Sequence, residues 1–224
     1  MSIDEGDSMN ILQTIKEKKI VAVIRNVKDE DIVPIADALL AGGVKIIEIT
    51  AESPDFISSI KRVKSRIGDK IIVGAGTVLD SETANLAIMA GAQFIFSPTV
   101  NLETIKITKR YGVVSIPGAL TPTEILKAYE HGADIIKVFP ANILGPKYLK
   151  DIHGPLPHIP LMPTGGIDLT NVQDYIQNGA IAVGIGSTLV NTKKEISIST
   201  LQEITDRAVQ FVNKLRLQTD TTVL

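Results

Sequence analysis

The sequence predicts one α/β domain, a (β/α)8 barrel with an extra N-terminal helix, and three observations favour this fold. Short, β-rich apolar runs occur eight times, spaced about twenty residues apart. A helical pattern follows each run, and most of these patterns end in a glycine and a small residue. The 224 residues suffice for eight such units. We therefore expect a TIM-type barrel, with a doubly wound open sheet as the alternative.

The elements are predicted from apolar periodicity and from helix start and stop signals. The predicted strands are 20–25, 45–50, 71–77, 93–98, 113–117, 134–140, 160–166 and 182–187. The predicted helices are 29–41, 55–67, 81–90, 101–111, 121–130, 146–152, 170–177 and 199–215, with an extra helix at 10–18. We expect a disordered extension at 1–8, the barrel domain at 9–217 and a tail at 218–224.

Composition excludes several classes of function. The net charge of −2 offers no basic surface for nucleic acid or for an anionic membrane. Because the chain has no cysteine, it has no disulfide, thiolate metal site or cysteine nucleophile. The acidic start does not resemble a secretory signal, and no long apolar stretch predicts a membrane span. We expect a cytosolic protein.

Lys137 is a charged residue in the otherwise apolar strand 134–140. In a barrel, polar residues at the carboxyl ends of strands form the active site. Burial would favour the neutral amine, which can attack a carbonyl and form an imine. A lysine that extends to solvent or pairs with a carboxylate explains the position equally well.

Glu48 is the matching carboxylate, placed among isoleucines in the strand 45–50. It is either a counter-ion for Lys137 or a general acid and base whose pKa is raised by burial. Both functions are compatible with one cavity.

Glycine-rich segments end the last two predicted strands, at 164–166 and 184–187. Their backbone N–H groups, with the Ser187 hydroxyl, would bind phosphate, which barrels often hold between these two loops. Tight turns are the other explanation. Thr77, after a glycine-rich strand, either donates to a carboxylate or forms a turn. The three histidines lie away from strand ends, so we expect no metal site.

A series of motifs, in order along the chain, resembles the KDPG and KHG aldolase family, which includes phosphogalactonate aldolases. The motifs are VAVIR (21–25), AGGVKIIEIT (41–50), VGAGTVL (73–79), AGAQFIFSP (90–98), IPGALTPTE (116–124), GADIIKVFPA (132–141), PTGGI (163–167) and VGIGS (183–187). Together they cover about residues 20 to 190.

The resemblance implies a class I aldolase that cleaves a 2-keto-3-deoxy-6-phospho-aldonate to pyruvate and glyceraldehyde 3-phosphate. It implies Lys137 as the Schiff-base lysine, Glu48 as the acid and base, no cofactor, and a homotrimer. The substrate-binding candidates are Arg25, Thr77, Pro98, Phe139, Thr164, Gly165, Gly166, Gly186 and Ser187.

One position departs from the family pattern. Glu52 stands where many members carry an arginine that binds the substrate carboxylate, and a carboxylate cannot replace a guanidinium there. We therefore predict that Arg25 supplies this charge. The sequence leaves the substrate open among phosphogluconate-, phosphogalactonate- and hydroxyoxoglutarate-type keto acids. The alternative functions are a phosphosugar isomerase or epimerase and a non-catalytic phosphosugar-binding barrel.

Overall fold

A computed structural model of the chain describes residues 5–216, which form an α/β fold of parallel strands, as predicted. The strands in this part are β1 Ile20–Ile24, β2 Ile46–Thr50, β3 Ile72–Gly76, β4 Phe94–Phe96, β5 Val114–Ile116, β6 Gly118–Ala119, β7 Ile136–Val138, β8 Leu161–Pro163 and β9 Val183–Ile185. The helices are α1 Glu5–Lys18, α2 Ile32–Ala41, α3 Phe56–Ile67, α4 Ser81–Met89, α5 Leu102–Arg110, α6 Pro122–Glu130, α7 Lys147–His153, α8 Val172–Gln177 and α9 Ile198–Arg216.

The strands of the described residues form two parallel sheets rather than the single closed ring that we predicted. One sheet has the order β5-β4-β3-β2-β1-β9, and the other has the order β6-β7-β8. The predicted strand 113–117 contains only β5, and the other sheet begins with β6, directly after Pro117. Proline has no N–H to donate to a strand ladder, so the regular pairing is interrupted there.

Alternate strand residues form a small apolar cluster on the sheet face opposite the helices α2 to α9. We call this face the inner face. Its cluster consists of Val21, Ile46, Phe94, Phe96, Val114, Ile116, Ile135, Met162 and Ala182, together with Ile11 and Ile15 of α1. Because side chains alternate along a strand, Glu48 and Lys137 follow Ile46 and Ile135 on this same face.

The other strand face packs against the helices and forms the larger core. In α2, Ile32, Ile35 and Leu39 are fully buried, at the three- and four-residue spacing of one helical face. Each such side chain contributes roughly 1.5–3 kcal/mol of stability by leaving water. Strands that are apolar on both faces are therefore held between helices and the inner-face cluster.

Local signals explain where several helices begin. Thr121 accepts from the Glu124 N–H, and Glu124 accepts from the Thr121 N–H, which completes a capping box before α6. At α4 the capping side chain is Asp80, which accepts from Thr83 N–H at 2.6 Å, whereas we expected Ser81 to open this helix. The cap thus lies one residue earlier than predicted.

The ends of the chain differ from the prediction in one respect. The helix α1 begins at Glu5 rather than at residue 10, so residues 5–8 are part of a helix. Residues 1–4 of the predicted extension and the predicted tail 218–224 lie outside the described residues. In the part that is described, no helix combines the length and hydrophobicity needed to cross a bilayer.

Candidate active site

Glu48 lies on the inner face of β2 and is completely buried. Its β-strand partners are Val23 in β1 and Gly74 in β3, which places it in the middle of the six-stranded sheet. Neither oxygen of its carboxyl group has a hydrogen-bond partner among the described residues. A buried polar group without a partner is costly, so its retention suggests a functional reason.

Lys137 lies on β7 with only 2% of its surface exposed. Its Nζ atom is 4.5 Å from the ring centroid of Phe96 and 4.8 Å from that of Phe139. The side chain therefore ends between aromatic rings rather than in water, and it does not extend to solvent. Burial thus excludes a solvent-exposed lysine, and pairing with a carboxylate stays open as an alternative to imine formation.

Burial shifts the pKa of both groups toward the neutral forms. Desolvation lowers the pKa of Lys137, and the charge of Glu48 acts in the opposite direction. Desolvation likewise raises the pKa of Glu48, against the charge of Lys137. In both cases burial is the largest cause. The neutral amine, which is the nucleophilic form, is thereby favoured, and so is the protonated form of the carboxyl group.

Gly76, the last residue of β3, provides the space that the Glu48 carboxyl group occupies. A Cβ atom at this position would lie 1.6 Å from Glu48 Oε1. Thr164 is placed in the same way, because a Cβ atom on Gly184 of the neighbouring strand would lie 2.3 Å from its Oγ1. Each of these polar side chains therefore lies over a glycine of the next strand.

Thr77 follows Gly76 directly and has a left-handed backbone with φ of 54°. A threonine in this conformation is strained by about 1–3 kcal/mol, and such strain is concentrated at functional positions. The residue is partly buried, next to Gly76, which makes room for the Glu48 carboxyl group. Its position fits both a turn residue and a donor to a ligand.

The glycine loops after β8 and β9 differ from each other. Gly165 and Gly166 have φ values of +99° and +70°, conformations that disfavour any side chain. The Thr164 Oγ1 beside them is buried without a hydrogen-bond partner among the described residues. Gly186 faces open space and Ser187 is exposed. The first loop has the stronger geometric requirement for glycine.

Pro98 and Phe139 line a cleft of about 340 Å³ beside the Lys137 amine. Gly118 closes one wall, because a Cβ atom there would lie 2.4 Å from the Pro98 carbonyl carbon. Glu124 and Lys127 of α6 lie at the other side of the cleft. The cleft shares Phe139 with the surroundings of Lys137, and neither Lys137 nor Glu48 lines it.

Arg25 follows β1 and forms an ion pair with Glu52, which lies after β2. The side chains are 49% and 32% exposed, so the pair lies at the mouth of the site. The charges of both residues act on the pKa values of Glu48 and Lys137. Arg25 is thus near the predicted catalytic residues, but its charge is already engaged by Glu52.

No cluster of three or more His, Asp or Glu residues that could hold a metal ion is present between residues 5 and 216. Sequence reasoning did not identify Phe96 and Gly76 as parts of the site, and it singled out Glu52 without predicting its ion pair with Arg25. The alternation of side chains in 93–98 was the available signal for Phe96.

A family model described as KDPG and KHG aldolase matches residues 11–206. The chain is 40% identical over 162 residues to 2-dehydro-3-deoxy-phosphogluconate aldolase of Pseudomonas aeruginosa, covering 72% of this chain and 73% of that protein. It is 31% identical over 198 residues to 2-dehydro-3-deoxy-6-phosphogalactonate aldolase of Escherichia coli, covering 88% and 94%.

A solved structure described as KDPG aldolase from Legionella pneumophila, with pyruvate captured as a covalent carbinolamine intermediate, is also similar. Its TM-score is 0.82 at 29% identity, covering 88% of this chain and 96% of that one. These similarities agree with the buried lysine and glutamate at the strand ends. The chain belongs to the KDPG and KHG aldolase family.

Proposed function

We propose that the protein is a class I aldolase that reversibly cleaves a 2-keto-3-deoxy-6-phospho-aldonate to pyruvate and glyceraldehyde 3-phosphate. The observation that best supports this proposal is the pair of buried ionisable side chains, Lys137 and Glu48. Lys137 lies between aromatic rings, and the Glu48 carboxyl group accepts no hydrogen bond among the described residues. Neutral amine and titratable acid are the forms that imine chemistry requires.

In the proposed reaction, the Lys137 amine attacks the C2 carbonyl and forms a carbinolamine. The carbinolamine takes a proton from the Glu48 carboxyl group and loses water to give an iminium ion. The Glu48 carboxylate then takes the proton of the C4 hydroxyl, and the C3–C4 bond breaks. The electron pair of that bond passes to the iminium, giving an enamine and releasing the aldehyde. Glu48 gives the proton to C3, which forms the iminium of pyruvate. Water adds to this iminium, its excess proton passes to Glu48, and pyruvate leaves the lysine.

The other candidates are proposed to hold the two anionic ends of the substrate. Arg25 and Thr77 would bind the carboxylate next to the ketone. The residues proposed for the phosphate are Thr164, Gly165, Gly166, Gly186 and Ser187. The positive φ values in the first of these loops support this role, because they bring backbone N–H groups to one side of a turn. Pro98 and Phe139 would contact the carbon chain.

We also infer that the two sheets belong to one closed (β/α)8 barrel. Support comes from hydrogen bonds between them. Thr164, after β8, pairs in parallel with Gly184 of β9, and Asp134 N–H, shortly before β7, donates to the Ser115 carbonyl of β5 at 3.0 Å. In a barrel, Glu48 and Lys137 would face each other across the interior at the carboxyl end, where barrel enzymes place their chemistry.

The names of the relatives support the substrate class. Those from P. aeruginosa and E. coli are named for phosphogluconate and phosphogalactonate keto acids, and the L. pneumophila structure carries pyruvate as a covalent carbinolamine. A homotrimer and a cytosolic location stay predictions.

Borohydride trapping tests the mechanism. Incubation with pyruvate and reductant should add one pyruvate-derived group to the peptide that contains Lys137, as detected by mass spectrometry. Folded protein that forms no adduct would contradict the imine mechanism and favour an isomerase, an epimerase or a binding protein. Cleavage assays with the phosphogluconate, phosphogalactonate and hydroxyoxoglutarate substrates would then rank the substrates.

The role of Arg25 has its own test. Arg25→Ala should raise KM for substrates that yield pyruvate, because the carboxylate loses a cationic partner. Unchanged KM and kcat would remove Arg25 from carboxylate binding.

A further inference from the structure

The ion pair between Arg25 and Glu52 has a form that the proposed reaction does not explain. Arg25 Nη1 donates to Glu52 Oε1, and this is the one hydrogen bond that the guanidinium makes within residues 5–216. A guanidinium has five N–H donors, so most of them stay free. Both side chains are accessible to a ligand at the mouth of the site.

The backbone around the pair is held by two further hydrogen bonds. Thr192 Oγ1 donates to the Arg25 carbonyl at 2.5 Å, and Val27 N–H donates to Ser53 Oγ at 3.2 Å. The loop after β1 is thereby joined to the loops after β2 and β9. These hydrogen bonds hold the backbone at Arg25, whereas Glu52 holds its guanidinium group.

The charges of the pair reach the buried groups with opposite effects. Beyond desolvation and the Lys137–Glu48 interaction, Arg25 lowers the pKa of both buried groups and Glu52 raises both. While the pair is intact, these two effects oppose each other. Loss of either partner would leave one unbalanced charge beside Lys137.

The charges in the site can be compared with the charges on a substrate. The four charged groups that act on one another are the cations Lys137 and Arg25 and the anions Glu48 and Glu52. One carboxylate beside the ketone can use the iminium and the free donors of Arg25. A second carboxylate a few carbon atoms away would meet Glu52 and would find no unpaired cation among these groups.

We propose that Glu52 determines specificity by holding Arg25 in place and offsetting its charge. The site then takes keto acids with a single carboxylate and a hydroxylated carbon chain, and disfavours short dicarboxylates such as 4-hydroxy-2-oxoglutarate. The proposal rests on the proposed aldolase function. A phosphate at the far end of a longer substrate lies away from Glu52 and is not affected.

The test compares kcat/KM for a phospho-aldonate and for 4-hydroxy-2-oxoglutarate in the wild type, Glu52→Gln, Glu52→Asp and Glu103→Gln. Glu52→Gln should raise the dicarboxylate's value relative to the phospho-aldonate's by up to about fivefold, the size expected for one exposed charge. If the wild type does not cleave the dicarboxylate, this variant should gain that activity. Glu52→Asp keeps the charge and should keep the ratio.

Glu103→Gln is the matched control, because Glu103 is also an exposed glutamate beside a cation, Lys106, and lies on α5. Its ratio should equal that of the wild type. An unchanged or lower ratio in Glu52→Gln, with borohydride trapping at Lys137 intact, would overturn the specificity role and leave the aldolase function standing. Absence of trapping in the wild type would remove both.

The pH dependence of trapping distinguishes an effect of the Glu52 charge on Lys137 from an effect of Glu52 on the structure alone. For borohydride trapping of pyruvate, Glu52→Gln should move the midpoint to lower pH, because the Lys137 pKa loses an anion that raises it. Arg25→Gln should move it to higher pH, and the double variant should lie between them. Shifts in the same direction would contradict the balanced pair.

Discussion

Lys137 and Glu48 are buried, and the carboxyl oxygens of Glu48 have no hydrogen-bond partner among the described residues, whereas Arg25 and Glu52 are partly exposed and bond directly to each other. In the buried pair, desolvation is the largest cause of the pKa shifts, and it favours both neutral forms. In the exposed pair, water solvates both charges, so the ions form a contact that is worth at most about 1 kcal/mol.

This difference assigns the reaction to the buried pair and the recognition of the substrate to the exposed pair. A direct, well-bonded ion pair would hold the lysine as an ammonium ion, which cannot attack a carbonyl. Keeping the acid and amine buried and unbonded leaves them available for proton transfer. The exposed pair can exchange partners with a ligand because water and salt weaken it. Changes to the two pairs should therefore give different kinds of effect.

The largest effect is expected for Lys137→Met. The thioether fills similar space but cannot form an imine, so cleavage should fall by more than about a thousandfold. Steady-state kinetics and borohydride trapping measure this, and trapping should disappear entirely. Residual cleavage through a pyruvate adduct on another residue would show that Lys137 is not the nucleophile.

Glu48→Gln should slow cleavage by about 10²–10⁴-fold, because the amide cannot accept the C4 hydroxyl proton. Pyruvate trapping at Lys137 should persist, which distinguishes a proton-transfer role from a counter-ion role. If trapping is lost together with turnover, Glu48 acts mainly by setting the protonation state of the lysine.

Gly76→Ala should lower kcat by roughly tenfold or more, since the added Cβ would lie 1.6 Å from Glu48 Oε1 and must displace the carboxyl group. Gly74→Ala is the control on the same strand, because its Cβ would contact the Phe94 ring at 2.4 Å instead. Both variants should lose stability in thermal unfolding. Below their unfolding temperatures, only Gly76→Ala should lose the Glu48-dependent step, and equal kcat losses would exclude this specific displacement.

The smallest effect is expected for the stability of Glu52→Gln. Loss of an exposed ion pair should lower the free energy of unfolding by less than about 1 kcal/mol, and added salt should reduce the difference. Urea unfolding at low and high salt measures it. A loss above about 2 kcal/mol that salt leaves unchanged would mean that the pair is part of the structural core.

The buried half of this comparison could be predicted from the sequence. Lys137 and Glu48 were visible as single charges in apolar strands, and strand alternation placed both on one face. The parallel α/β fold followed from the repeated strand and helix patterns. Burial then decided against a solvent-exposed lysine, a choice that depends on the Phe96 and Phe139 rings and not on local sequence.

The exposed pair, Arg25 and Glu52, was harder to predict from the sequence. Arg25 was identified as a cation near the mouth, but its partner depends on the loops after β1 and β2, whose conformations are set by hydrogen bonds to Ser53 and Thr192. The same holds for Gly76, since a glycine in a strand signals a close approach without naming the group that approaches. The early start of α1 lacked a recognisable cap in the sequence.

The aromatic surroundings of Lys137 have one more consequence. The face of a phenyl ring carries the negative part of its quadrupole, so it attracts a cation but cannot remove its proton. The rings of Phe96 and Phe139, at 4.5 and 4.8 Å from Nζ, can stabilise an iminium ion as they would an ammonium ion. The positive charge of the iminium, before and after the neutral enamine, can thus be stabilised by groups that take no proton, and every proton exchange is left to the carboxyl group.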